Sequence, residues 1–264
     1  MSTRSVGRLS VVALRDARGP FVAWEVGFPT ATPRDWALAR AFDADAFGPD
    51  GRWFLDFRAF AIMSPSGVTL VDAGIGPAGA PAEGWAPVPG ALPEALAAAG
   101  VGLSDVDTVV LTHLHSDHCG WAVTPAGEPL FPNARYVVHR EELAWVDGAV
   151  AAYVVKPLRE AGVLSPVSAE TVLATLPTGE KVTVVPTPGH TPGHQSVIVE
   201  GGGAQVVVTG DVLVHAVQLV SPGVEYVYEE DPVLARETRL RLLARAAGAE
   251  LATPHLTEPF VRVR

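Results

Sequence analysis

Residues 113–118 read His-Leu-His-Ser-Asp-His, and the chain's single cysteine, Cys119, follows at once. Eight histidines are spread over 264 residues, so three of them beside a carboxylate in one short run form a local concentration of metal-ligating groups. The run 107–112 (DTVVLT) predicts a strand leading into it. In extended backbone, residues i and i+2 share a face, so His113 and His115 converge on one point. Ser116 and Asp117 then begin a turn that swings Asp117 and His118 towards a second point. A single tetrahedral ion would not easily take four ligands from so tight a loop, and the spacing favours two adjacent ions. Further ligand types stand later in the chain. His190 and His194 lie in TPGHTPGHQS (187–196), Asp211 in TGD (209–211) and His255 in TPH (253–255). Each place is the end of an apolar run or the loop behind it, and neighbouring strand ends gather at one edge of a sheet, where sites form. Imidazole and carboxylate without thiolate suit zinc, and also iron, manganese, cobalt or nickel.

Strands are needed to bring these places together, and the sequence supplies short β-branched runs bounded by turn formers. They fall at 57–64, 67–72, 107–112, 135–139, 182–186, 195–200 and 204–209. Gly201-Gly202-Gly203 predicts a hairpin between the last two. Leu92 and Leu96 with Gly100 predict a helix over 91–99. Asp231-Pro232 opens a second one over 232–247, with Leu240, Leu243 and Ala247 towards the core and Arg236, Arg239, Arg241 and Arg245 on the wet side. Strands mixed with helices and hairpins predict two mixed sheets with helices outside, or an α+β layer fold. Residues 76–90 (GPAGAPAEGWAPVPG) predict a long loop of the kind that carries function. Ten of the nineteen aromatic residues lie within 20–60, as a packed layer, an oligomer interface or an apolar wall for a substrate.

Composition narrows the class. A 264-residue chain that is 48% hydrophobic can bury a large single core. Net charge is −10 and the 19 basic residues are scattered, which argues against nucleic-acid and anionic-membrane partners. One cysteine makes no intrachain disulfide. No apolar run has the length of a signal-peptide core or a membrane span, so a cytoplasmic protein with a small-molecule substrate is expected.

The H-x-H-x-D-H signature, standing as His113-x-His115-x-Asp117-His118, with His190, Asp211 and His255 following in order, resembles the metallo-β-lactamase superfamily over roughly residues 55–260. The resemblance implies an α/β, four-layer αββα sandwich with two mixed sheets and metals at one edge. It implies a single domain over 1–264, with 1–55 as an N-terminal extension packed on it that forms a pocket wall or a dimer interface. It implies two divalent ions, most readily zinc: His113, His115 and His190 on one, Asp117, His118 and His255 on the other, Asp211 between them. Activity would then be that of a metal-dependent hydrolase, in which a metal-bridging hydroxide attacks and Asp117 shuttles the proton. Asp72, in VDAG, resembles the family's strand-end aspartate that braces the metal loop, and His194 is read as a hydrogen-bonded support. His215 and Trp121 are expected at the substrate pocket, each with the alternative of ordinary packing. His139 reads as structural and Cys119 as a small buried hydrophobe.

Within the superfamily, TPGHTPGHQS resembles quorum-quenching lactonases. Those place a tyrosine three residues after the bridging aspartate, where this chain has Val214. The stretch GDVLVHAVQLVSP (210–222) is closer to the methyl-parathion-hydrolase-like branch. The resemblance therefore implies cleavage of an ester or lactone bond in a small, fairly apolar substrate. Phosphotriester or N-acyl-homoserine lactone hydrolysis are the alternatives. A mononuclear iron oxygenase and a non-catalytic binding protein remain as readings from other classes. A homodimer through the aromatic-rich N-terminus is a further expectation.

Overall fold

Alternation along short apolar runs gives each strand two apolar faces, and that property builds the molecule. Val137 faces one core while its neighbours Tyr136 and Val138 face another, and Val197 and Val199 are separated in the same way from Ile198. Sheets with two apolar faces must be covered on both. The computed structural model describes residues 2–262. Its first sheet runs in the order β1 (Thr3–Val6), β2 (Leu9–Ala23), β3 (Arg52–Ser64), β4 (Gly67–Val71), β5 (Val106–Val110), β6 (Arg135–His139) and β7 (Leu164–Val167). The second runs β13 (Phe260–Arg262), β12 (Glu250–Ala252), β11 (Ala204–Val208), β10 (Gln195–Gly201), β9 (Lys181–Pro186) and β8 (Thr171–Thr175). Both are mixed: β4 to β7 and the β11–β12 pair are parallel, and the other pairs antiparallel.

One core, with Phe60, Val71, Val110, Val137, Val184, Val197 and Val208, lies between the sheets. A second packs the helix Leu92–Ala98 and residues 154–158 on the outside of the first sheet. A third packs Leu242 of the helix Pro232–Arg245, and Ala246 at its end, on the outside of the second. The result is the four-layer αββα sandwich. The hairpin falls where the glycines put it, with Gly202 and Gly203 at φ +58° and +78° in a two-residue turn. No helix among the described residues is long and apolar enough to cross a membrane.

Two expectations are corrected. The N-terminal segment is not simply packed on the domain, because β1 and the fifteen-residue β2 are strands of the first sheet. Arg15, Asp16 and Arg18 interrupt the apolar alternation of β2 and hide it in the sequence. They are accommodated because buried Asp56 takes Arg15 Nε at 2.7 Å and Arg58 Nη2 at 2.9 Å, and because β2 bulges at Asp16. Arg239 is not on the wet side of its helix. It is fully buried, paired with Glu229 and donating to the carbonyls of Val212 and Pro222, both at 2.8 Å. This pull turns the helix so that Ala235, Thr238 and Leu242 face inward and Leu240 is left 47% exposed.

The bulge at Asp16 organises the loop after β4. Its carboxylate accepts from Ile75 N at 2.6 Å, Leu92 N at 2.7 Å and Trp121 Nε1 at 3.1 Å, and Gly90 N bonds Gly76 O at 2.9 Å. The loop 76–90 is thus closed at its root. Burial pushes the Asp16 pKa up to about 6 against the pull of these donors. A carboxyl whose folded pKa lies above its unfolded value contributes stability that is full below the unfolded pKa and is lost as pH rises through the folded one. The unfolding free energy from urea titration should therefore fall between pH 4 and pH 7 by a component of about 3 kcal/mol that Asp16→Asn lacks. Parallel pH profiles for the two proteins would contradict it.

Candidate metal centre

The ligand-bearing residues leave the ends of strands from both sheets. His113, His115, Asp117 and His118 follow β5, His190 follows β9, Asp211 follows β11 and His255 follows β12. They meet as two adjacent groups, His113, His115, His190 and Asp211 in one and Asp117, His118 and His255 in the other. In the first, His115 Nδ1 lies 3.0 Å from His113 Nε2 and 2.9 Å from His190 Nε2. In the second, His118 Nε2 lies 3.2 Å from His255 Nε2, and Asp117 Oδ2 is 3.6 and 3.7 Å from the two. Asp211 reaches both: Oδ2 is 3.3 Å from His190 Nε2, and Oδ1 is 3.2 Å from both His118 Nε2 and His255 Nε2.

Hydrogen bonds on the far side of the rings decide what these inner atoms are. His255 Nδ1 lies 2.8 Å from the backbone carbonyl of Asp56, so it must donate, and in the neutral ring that binds a metal Nε2 is left with a lone pair. His118 Nδ1 faces Asp72 Oδ2 at 2.8 Å with the same consequence. His113 Nδ1 faces Thr112 Oγ1 at 3.0 Å, and that hydroxyl passes its own proton to Asp72 Oδ2, also at 3.0 Å. Burial holds His113 and His190 well below the usual histidine range, so both rings are neutral. The inner nitrogens of His113, His115 and His190 lie about 3 Å apart, and those of His118 and His255 3.2 Å apart. Asp211 Oδ1 is buried and close to two imidazoles, yet aligned for a hydrogen bond with neither. Five imidazoles and two carboxylates gathered this closely are a donor set that fits a divalent metal. The same field acts on His118 and His255. Burial works against their charged forms, but Asp211 and its neighbouring carboxylates raise both pKa values.

His194 does not join either group. It is buried, with Nδ1 on Thr187 Oγ1 at 2.8 Å, and Nε2 accepts from the backbone N–H of Asp211 at 2.9 Å. Burial pushes its pKa down to about 3, which keeps that acceptor free. Asp72 also accepts from Thr112 N at 2.8 Å. It takes φ +64°, a left-handed conformation uncommon outside glycine, at the turn that aims its carboxylate at Thr112 and His118.

Comparison with known proteins gives the family and the fold. The family model described as metallo-beta-lactamase superfamily matches residues 59–250. The chain belongs to the metallo-β-lactamase superfamily. Among solved structures it is similar to the hydrolase AbOPH in the beta lactamase superfamily, at 26% identity and a TM-score of 0.79 over 98% of this chain and 91% of that one. It is also similar to AidC, a dizinc quorum-quenching lactonase solved with a product N-hexanoyl-L-homoserine, at 20% identity and a TM-score of 0.80 over 100% and 94% of the two chains. A probable metal-dependent hydrolase from Staphylococcus aureus matches at 17% identity and a TM-score of 0.79 over 96% and 91%. This chain is accordingly a metallo-hydrolase of that superfamily.

Above the clusters lies a cavity of about 300 Å³. His115, Asp117, His190, Asp211 and His255 form its floor, and Phe21, Trp53, Leu55, Trp85, Tyr226 and Tyr228 its walls. The N-terminal aromatics thus divide. Phe21 and Trp53 reach the cavity, while Phe28 and Phe47 pack behind them with Trp36. Two expected pocket residues are corrected. His215 is buried away from the cavity in a box of Phe28, Trp36, Phe47 and Trp53 rings 5.1–5.7 Å off, where Nδ1 accepts from Val217 N and caps a short helix. Trp121 is drawn off by the Asp16 carboxylate and packs on the outer core of the first sheet. His139 caps the helix Arg140–Trp145. Sequence reading missed Trp85, Tyr226 and Tyr228. The loop 76–90, which carries Trp85, reads as one of a functional kind, but nothing in the local pattern singles out the three rings.

Cys119 Sγ is fully buried in the outer core and donates to His115 O at 3.2 Å. Cys119→Ser should leave metal content unchanged by elemental analysis. Asp72→Ala should lower metal affinity by about 10–100-fold in chelator competition, because the rings of His113 and His118 lose the acceptor that fixes them. Unchanged affinity in that variant would mean that the ligand loops hold themselves.

Proposed function

We propose that the protein hydrolyses an ester or lactone bond of a small, uncharged, largely apolar substrate, using two divalent metal ions, most readily zinc. His113, His115 and His190 would hold one ion, Asp117, His118 and His255 the other, and Asp211 both. The observation that carries the substrate class is the cavity lining. Five aromatic side chains and a leucine stand over the clusters, and no Lys or Arg is among the lining residues. A phosphomonoester or carboxylate substrate would want a cationic wall, whereas an apolar acyl, aryl or alkyl group is matched by these rings. Ions bound there would supply an acidified water as nucleophile and a Lewis acid for the substrate's carbonyl or phosphoryl oxygen.

The chain's own groups do the rest. The Asp117 carboxylate is half-buried, faces the cavity and can take a proton from the attacking water and return it to the leaving oxygen. Tyr226 stacks on His190, with ring centroids 6.0 Å apart and planes 7° apart. Burial, together with Asp211 and Asp117, holds its phenol well above the usual range, so it stays a neutral donor. The position three residues after Asp211, Val214, is buried in the aromatic cluster behind the cavity and offers no hydroxyl. The same neutral walls admit a phosphotriester. A mononuclear oxygenase would leave one complete ligand group without a task.

Elemental analysis of purified protein, with a panel of aryl esters, lactones and phosphotriesters, tests this reading. Two metals per chain and turnover of an ester or lactone are expected. One iron per chain, or phosphotriesters alone, would replace it. Asp117→Asn should lower kcat at least about 100-fold while the thermal midpoint of the metal-free protein stays close to wild type. Near wild-type turnover would remove Asp117 from the proton path.

A further inference from the structure

Glu142 is a fully buried carboxylate that the proposed chemistry does not use. It stands on the helix Arg140–Trp145, directly after β6. A charge taken out of water must have partners, and no Lys, Arg or His among the described residues forms an ion pair with it. Its partners are three donors on two other segments. Oε1 accepts from Leu114 N at 2.8 Å. Oε2 accepts from Thr191 Oγ1 at 2.7 Å and Gly193 N at 3.0 Å.

The identity of those donors is what matters. Leu114 lies between His113 and His115, and Thr191 and Gly193 follow His190. One carboxylate therefore spans the two loops that carry all three imidazoles of the first ligand group. Those loops leave different sheets, one after β5 and the other after β9. The approach is close enough to dictate the residue at 193, where a Cβ would come within 2.2 Å of the Glu142 backbone nitrogen. The strands below are tied independently, through Gln195 N to Thr112 O and Gln195 Nε2 to Leu111 O, both at 2.9 Å. Those bonds join the sheets beneath the site, whereas Glu142 joins the loops beyond the strand ends.

We infer that Glu142 is a positioning residue that sets the spacing of His113 and His115 against His190, and so selectively fixes the affinity of the metal held by that group. The inference rests on the proposal that the group holds a metal. Glutamine at 142 has one acceptor oxygen, and its amide would oppose the Gly193 N–H. Alanine would leave all three donors without an acceptor.

Stepwise zinc affinities by chelator competition test this, with His255→Ala as the background in which only the first group is complete and His113→Ala as the background in which only the second is. Glu142→Gln should weaken the first-group metal by about 10–100-fold and the second-group metal by less than about threefold. Thr191→Val, which removes one contact and no charge, should weaken the first-group metal severalfold, and decides the matter if the glutamine variant does not fold. Equal weakening of both groups, or of neither, overturns the inference. Absence of metal from the otherwise unaltered protein would instead overturn the proposed function.

Discussion

Seven lone-pair-bearing side chains from both sheets are packed into one buried floor, and this is the constraint that the rest of the structure serves. Imidazole nitrogens some 3 Å apart, with a buried carboxylate among them, do not assemble for their own sake. They have to be forced together by other bonds and relieved by a cation. The forcing bonds are visible. Asp72 takes the outer nitrogen of His118 directly and that of His113 through Thr112, so one carboxylate sets the tautomer of a ligand in each group. His255 is set by a backbone carbonyl of β3 and Asp211 by the ring of His194. Each of these outer bonds fixes the group that makes it, so the inner atom it carries keeps its place.

The sheet architecture makes this possible at modest cost. Strand ends place side chains reproducibly because the ladders below them are rigid, and the two sheets present their ligand-bearing ends at a common edge. β3 contributes twice. Its Asp56 carbonyl holds His255, and Arg58 donates to the carbonyls of the loop around that histidine, with Thr257 O at 2.6 Å. The buried charges of this strand look out of place in an apolar sheet until the loop they hold is considered.

Much of this was legible in the sequence because it depends on local pattern. The ligand types sit at the ends of short β-branched runs, and such runs stay recognisable as strands because burial of both faces makes them almost wholly apolar. The Gly202-Gly203 turn was legible because positive φ at adjacent positions has few other meanings. What was not legible depends on partners remote in sequence. β2 was hidden because Arg15, Asp16 and Arg18 read as a polar break, and only Asp56 and the loop 76–90 give them a place. Arg239 read as a solvent-facing residue because nothing nearby announces Glu229 as its partner inside the core. His215 and Trp121 were assigned to the cavity by closeness in sequence to ligands. A caps-and-packing role for the first and the pull of Asp16 on the second turn them away. Glu142 is the same case reversed, a charged residue on an ordinary helical stretch whose three partners lie 28, 49 and 51 residues away.

The aromatic walls follow from the same economy of position. Trp53 and Leu55 lie on β3 on either side of Phe54, and both face the cavity while Asp56 turns to the arginines and the His255 loop. Trp85 comes from the loop that Asp16 closes, and its indole N–H reaches Ser116 Oγ, inside the ligand motif, at 3.2 Å. Phe21 stands between it and Tyr228, with centroids 5.0 and 5.7 Å away. The substrate wall and the metal floor are therefore joined by covalent neighbours on β3 and by a hydrogen bond from the loop. A change at Trp85 would be felt at the ligands through Ser116, where this cavity ring bonds to the histidine motif, and a change at Tyr226 through its stack on His190.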